Sequence, residues 1–127
     1  MPIDYEIRPE AIWFRTDGDV DYEQGLSVLE AGIAAARQQA RGKRRPVVFD
    51  ITASAERRSA DELRAIAHFV GENRVVLEPR CAVVTGDDLR YGLARMFEAF
   101  AGEHDVRVSV FRDAGERSDW LAAGEPG

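Results

Sequence analysis

Apolar and polar positions alternate at the start of the chain. Ile3, Tyr5 and Ile7 interleave with Asp4, Glu6 and Arg8, the period of a half-buried strand. Pro9-Glu10 reads as a tight turn. Ala11 to Thr16 follows as a second strand, with Ile12 and Phe14 on one face and Trp13 and Arg15 on the other, so the two form an N-terminal hairpin. After a turn at Asp17-Gly18-Asp19 the period lengthens. Asp21 caps a helix to about Ala40 whose stripe is Leu26, Leu29, Ile33, Ala36 and Ala40. Arg37 and Arg41 suit the negative end of that helix, and Gly42 stops it.

Val47-Val48-Phe49, after Pro46, is a continuous apolar run, as in a strand covered on both faces. Thr52 to Arg58 reads as loop. Ser59-Ala60-Asp61-Glu62 is a capping box that opens a second helix, with Leu63, Ile66, Ala67 and Val70 inside and an end near Gly71. Cys81 to Val84 is a further buried strand, with Cys81 at its start. Gly86-Asp87-Asp88 leads into a third helix with a stripe of Leu89, Leu93, Met96, Phe97 and Phe100, closed by Gly102. Val106, Val108 and Val110 alternate with Arg107 and Ser109, the pattern of an edge strand exposed on one face. A short helix over 116–122 docks Trp120 and Leu121 on the sheet, and 124–127 is a flexible tail.

The order β-β-α-β-α-β-α-β-α calls for parallel strands joined by right-handed crossovers, with the hairpin making the sheet mixed. The expectation is a single α/β domain over 1–123, with a mixed sheet of about five strands, about four helices, and the helices predominantly on one face or wrapping one edge.

Length and composition narrow the classes. The chain has 127 residues, 45% hydrophobic and 31% charged, which is ordinary for one globular domain. Its net charge of −6 gives no global attraction to nucleic acid or anionic lipid. One cysteine, Cys81, excludes an internal disulfide and fits the reducing cytoplasm. No apolar run reaches the ~20 residues of a membrane span, and the acidic N-terminus lacks the apolar core of a secretory signal. Membrane insertion is not expected.

Several segments resemble the SpoIIAA-like branch of the STAS domains, the bacterial anti-sigma-factor-antagonist fold. They are Ala82-Val83-Val84 with Asp87-Asp88-Leu89, then Tyr91 to Phe97, then Val110-Phe111-Arg112-Asp113 with Trp120-Leu121. The strand ending in Phe49-Asp50, with the Ser59-capped helix after it, adds to the likeness. The resemblance implies a mixed sheet with helices, no enzymatic activity, and binding of a protein or small ligand. In regulatory members a serine at the start of the second helix, in an Asp-Ser-Ser-Gly type sequence, is phosphorylated. Here Asp50 is followed by Ile51-Thr52-Ala53-Ser54-Ala55-Glu56, and Ser59 is the nearest equivalent by position.

Ligands of parallel α/β sheets sit at the C-terminal strand ends. That edge would hold Asp50, Thr52, Ser54, Thr85, Asp87, Asp88 and Asp113. The carboxylates suggest Mg²⁺ and receiver-like phosphoryl chemistry, but no lysine follows the last strand, and acids at helix starts also offset the dipole. Ser59, with Arg57 and Arg58 beside it, is an N-cap and a candidate phospho-switch or anion site. His68 and His104 show no ligand partner at i, i+4 spacing, so no zinc site is expected. Cys81 reads as a core residue. Arg41-Gly42-Lys43-Arg44-Arg45 reads as a solvated loop or a contact for an acidic partner. Arg95 pairs with Glu98 or Asp88, and Tyr91, Arg95 and Trp13 form a candidate partner or ligand surface. No P-loop, Rossmann glycine pattern or nucleophile elbow occurs.

The leading expectation is a non-enzymatic STAS-like domain with no cofactor, acting through a protein partner or as a homodimer along the valine edge strand. A carrier of a small lipid or nucleotide, with a SpoIIAA/SEC14-like fold and a helix-lined pocket, is the second class. A metal-dependent or receiver-like enzyme is the third.

Overall fold

The computed structural model describes residues 3–40 and 43–123. Arg41, the helix stop at Gly42 and the tail over 124–127 lie outside them, as does the side chain of Ala40. The elements are β1 (Ile3–Ile7), β2 (Ile12–Gly18), α1 (Tyr22–Ala40), β3 (Arg45–Ser54), α2 (Ala60–Glu72), β4 (Leu77–Thr85), α3 (Asp88–Gly102), β5 (Arg107–Phe111) and α4 (Ala114–Ala123). The sheet has five strands in the order β1-β2-β3-β4-β5, the α/β architecture expected from the pattern. β1 and β2 are antiparallel, and every later neighbour is parallel.

This order fixes where the helices lie. Right-handed crossovers that always step in one direction across a sheet put each connecting helix on the same face. α1, α2 and α3 therefore share one face, and their Leu29, Ile33, Leu63, Ala67, Val70, Ala94, Phe97 and Ala101 form one core with Ile12, Phe14, Val47, Cys81 and Val83. α4 follows the last strand and closes the other face, where Trp120 and Leu121 pack against Val48, Ala82 and Phe111.

Local physics depart from the sequence pattern at three places. β3 does not end at Asp50, because Ala53 and Ser54 pair with Asp17 and Gly18 of β2, beyond a register shift, so polar residues expected to be loop or turn join the ladder. Gly18 takes φ +72°, a conformation that favours glycine. β4 begins at Leu77, which leaves Cys81 in mid-strand; Glu78-Pro79-Arg80 is accommodated at a register shift against Arg45–Val47. In α3 the buried face is Ala94, Phe97 and Ala101, while Leu89 and Met96 lie about 40% exposed. Alanine on that face lets the helix approach the sheet, and the larger side chains are left outside. At the start of α1, the Asp21 carbonyl accepts from the Gly25 amide at 2.9 Å.

Two close approaches require glycine. A Cβ on Gly32 of α1 would lie 2.7 Å from Phe14 Cε1, so α1 seats directly on the β2 aromatic ring. A Cβ on Gly86 would overlap the backbone carbonyl of Thr52, so the β4–α3 loop crosses β3 backbone against backbone. β5 is the last strand of the sheet, with Arg107 exposed and Val108 buried, as its alternation requires.

Candidate functional site

A pocket of about 120 Å³ lies between the helix-covered face of the sheet and the N-terminal halves of α1, α2 and α3. Its floor is set by strand alternation: Phe14 and Thr16 of β2, Phe49 and Ile51 of β3, and Val83 of β4 all point the same way. Phe14 stacks on Phe49 at 5.7 Å, and Phe49 meets Phe97 of α3 edge-on at 6.0 Å, so three elements share one aromatic row. The roof is supplied by Leu26 and Leu29 of α1, Leu63 and Ile66 of α2, and Leu93 and Ala94 of α3. The pocket opens at the C-terminal ends of the parallel strands, where this topology leaves space between successive helix starts.

Besides the phenol of Tyr22, four polar side chains join this apolar lining: Thr16, Glu56, Arg58 and Arg90. Glu56 and Arg58, on the β3–α2 connection, form an ion pair at 2.8 Å, each side chain only 12% exposed. Arg58 Nη2 also donates to the Val20 carbonyl at 2.8 Å, which ties this loop to the β2–α1 loop across the pocket mouth. Burial raises the Glu56 pKa, against the opposing pull of Arg58 and Arg90. Arg90 sits in the first turn of α3, its side chain 11% exposed, with Nη1 3.3 Å from Asp87 Oδ2. Two buried polar atoms here, Thr16 Oγ1 and Arg90 Nε, have no hydrogen-bond partner among the described residues.

Most of the sequence candidates stand apart from this pocket. Ser59 Oγ accepts from the Glu62 amide at 3.1 Å, and Glu62 accepts from the Ser59 amide at 2.9 Å, a complete capping box. Arg57 is exposed beside it, whereas Arg58 turns away into the pocket mouth. Asp50 points to the opposite face of the sheet, and its Oδ1 accepts from the Thr52 amide and hydroxyl at 3.1 and 2.7 Å. Ser54 Oγ accepts from the Glu56 amide. Thr85 is buried and donates to the Phe111 carbonyl at 3.1 Å. Asp87 caps α3 by accepting from the Arg90 amide at 2.8 Å, a bond that holds its pKa below the usual value. Asp88 pairs with Arg112 at 2.7 Å, and Asp113 accepts from the Glu116 amide at the start of α4. Each carboxylate thus has a local partner, and among the described residues no group of three His, Cys, Asp or Glu side chains is placed to hold a metal ion.

Tyr91 and Arg95 are together on the outer face of α3, where Arg95 pairs with Glu98 at 2.9 Å and Arg112 lies over the Tyr91 ring. Trp13 does not join them. It faces the other side of the sheet, sandwiched between the guanidiniums of Arg8 and Arg117 at 4.3 and 4.4 Å. His68 does have a carboxylate at i+4: its Nε2 is 2.9 Å from Glu72 Oε1, and its ring meets His104 at 5.2 Å. This pair is at the far end of α2, away from the pocket. Burial pushes the Cys81 thiol up to about 12, so the thiolate is disfavoured.

The residues that sequence reasoning missed, Thr16 and Arg90, were in phase with the core. Thr16 continues the Ile12–Phe14 alternation, and Arg90 precedes Leu93, Ala94 and Phe97 by three, four and seven residues. A polar residue in phase with an apolar stripe was the available signal.

No family model matches the chain, and no curated protein matches it. Among solved structures it is similar to an uncharacterised protein of the DUF3478 family from Shewanella loihica PV-4, described as having a SpoIIAA-like fold. The two share 21% identity with a TM-score of 0.60, over 94% of this chain and 91% of the other. Strand order, crossovers and this likeness agree: the chain has a SpoIIAA-like α/β fold.

Proposed function

We propose that this chain is a non-enzymatic binding domain that receives a small apolar molecule between its parallel strands and α1–α3. The observation that carries this reading is the pocket itself: apolar walls from seven elements, a few polar groups at defined places, and a position at the C-terminal strand ends where such folds take their ligands. Its volume is close to that of a ~150 Å³ apolar cavity that accepts benzene, so a body of about six carbons fits. The lone cysteine suits a cytoplasmic setting. Among the described residues no helix is long and apolar enough to cross a membrane.

Binding of a protein partner, or a second copy, is the other reading. It draws on a different surface: the free edge of β5 and the outer face of α3, where Leu89 and Met96 are exposed.

Titration with 1-hexanol tests the pocket. Saturable uptake should perturb the aromatic resonances of Phe14, Phe49 and Phe97. Leu26→Trp, which fills the space from the roof, should abolish uptake and leave the fold intact by circular dichroism. If 1-hexanol and other six-carbon probes show no saturable binding to the wild type, the pocket reading fails.

A further inference from the structure

Thr16 and Arg90 are the least satisfied polar groups of the pocket. A buried hydroxyl without a partner costs stability, and a buried guanidinium nitrogen without one costs more. Both are held in place: Thr16 is 93% buried by its 7% exposure, locked in β2 opposite Ile3, and Arg90 is fixed by the Asp87 cap and by its position on the inner face of α3. Glu56 and Arg58 are already engaged, since Arg58 holds Val20 and Glu56, and Glu56 holds Arg58. The Arg90 guanidinium meets Asp87 only through Nη1, at 3.3 Å, which leaves its buried Nε–H open toward an acceptor in the pocket.

Resting on the pocket reading, we propose that the ligand is a small apolar monocarboxylic acid bound as its anion. Its carboxylate accepts from the unpaired Nε–H of Arg90, a charge-assisted bond in a water-poor site. Its hydrocarbon body lies along the Phe14–Phe49–Phe97 row. Thr16, on a different wall, offers a second hydrogen-bonding group to any polar atom the body carries. Glu56 faces the same mouth and opposes the anion, and Arg58, bonded to it, offsets that charge. The acyl part of a larger lipid presents the same apolar body without the free carboxylate, so the acid and its ester are separable in the test.

The test compares hexanoate, 1-hexanol and methyl hexanoate on the intact chain by calorimetry at neutral pH, with Arg90→Gln and Arg90→Lys as variants. Hexanoate should bind the wild type at least about tenfold tighter than the alcohol or the ester, and R90Q should remove that advantage while R90K retains part of it. In wild-type protein labelled with ¹⁵N-arginine, the Arg90 Nε–H resonance should move on addition of hexanoate and stay in place with 1-hexanol. This reading does not depend on the variants folding. Equal binding of the three probes, or an unmoved Arg90 resonance, overturns the carboxylate proposal and leaves the pocket reading standing. Absence of binding by all three overturns both.

Discussion

The two faces of the sheet are built on opposite terms. The helix-covered face is a continuous apolar core under three helices, and its polar groups are few, buried and partly unpaired. The other face has one short helix over Val48, Ala82 and Phe111, and beyond it a row of charges. Asp4, Arg15 and Asp50 are neighbours in register across β1, β2 and β3, alternating in sign. Arg8 and Arg117 clasp Trp13 beside them. Cross-strand pairs of this kind solvate a surface and fix register. Unpartnered polar atoms occur on both faces, Trp13 Nε1, Arg80 Nη1 and Arg117 Nε on the one and Thr16 Oγ1 and Arg90 Nε on the other, but of these only the last two line the apolar pocket, so charge count is a poor guide to the site.

Truncation should break the symmetry of the two faces most strongly. Phe97→Ala removes a buried ring from the larger core and should cost about 3–5 kcal/mol, whereas Trp120→Ala removes a half-buried ring from the smaller one and should cost about half as much. Shifts in urea midpoint at constant slope would measure both. Equal losses would show that α4 holds the domain together as firmly as α3 does.

A smaller change should act in the opposite direction. Thr16→Val replaces the orphan hydroxyl with a methyl of the same shape and should stabilise the free protein by about 1 kcal/mol. A loss of stability would mean that the hydroxyl is satisfied in solution, and the polar character assigned to this pocket would fall with it.

The mildest effect concerns pH. The folded pKa of Glu56 lies above its ordinary 4.5, chiefly through burial. The folded state therefore holds this proton more tightly than the unfolded chain does. Its contribution to stability is complete below 4.5 and is lost as the pH rises through the folded value. Glu56→Gln cannot ionise, so its stability should gain on the wild type as the pH climbs through that window. Denaturant midpoints at a series of pH values decide this, and a difference that does not vary with pH would mean that burial leaves Glu56 unshifted.

Much of the architecture was legible because periodicity records burial. The hairpin, the three crossover helices and the Ser59 capping box follow from local pattern alone. The polar end of β3 and the Glu78-Pro79-Arg80 start of β4 did not, because their pairing is decided by neighbours distant in sequence and by register shifts. The pocket was less visible for the same reason. Carboxylates at strand ends drew attention by their chemistry and serve largely as caps. Arg90 was hidden because the α3 stripe was read through Leu89 and Met96, whereas the buried face runs through Ala94, Phe97 and Ala101, in phase with Arg90.

Backbone against backbone, Gly86 and Thr52 leave the β4–α3 loop no slack. Side-chain packing can be remodelled residue by residue, but such a crossing works as a datum, and α3 starts two residues after it. The height of residue 90 above the sheet is therefore indexed to main-chain atoms. Selectivity at that position can be rewritten by exchanging one side chain, with its address in the molecule unchanged.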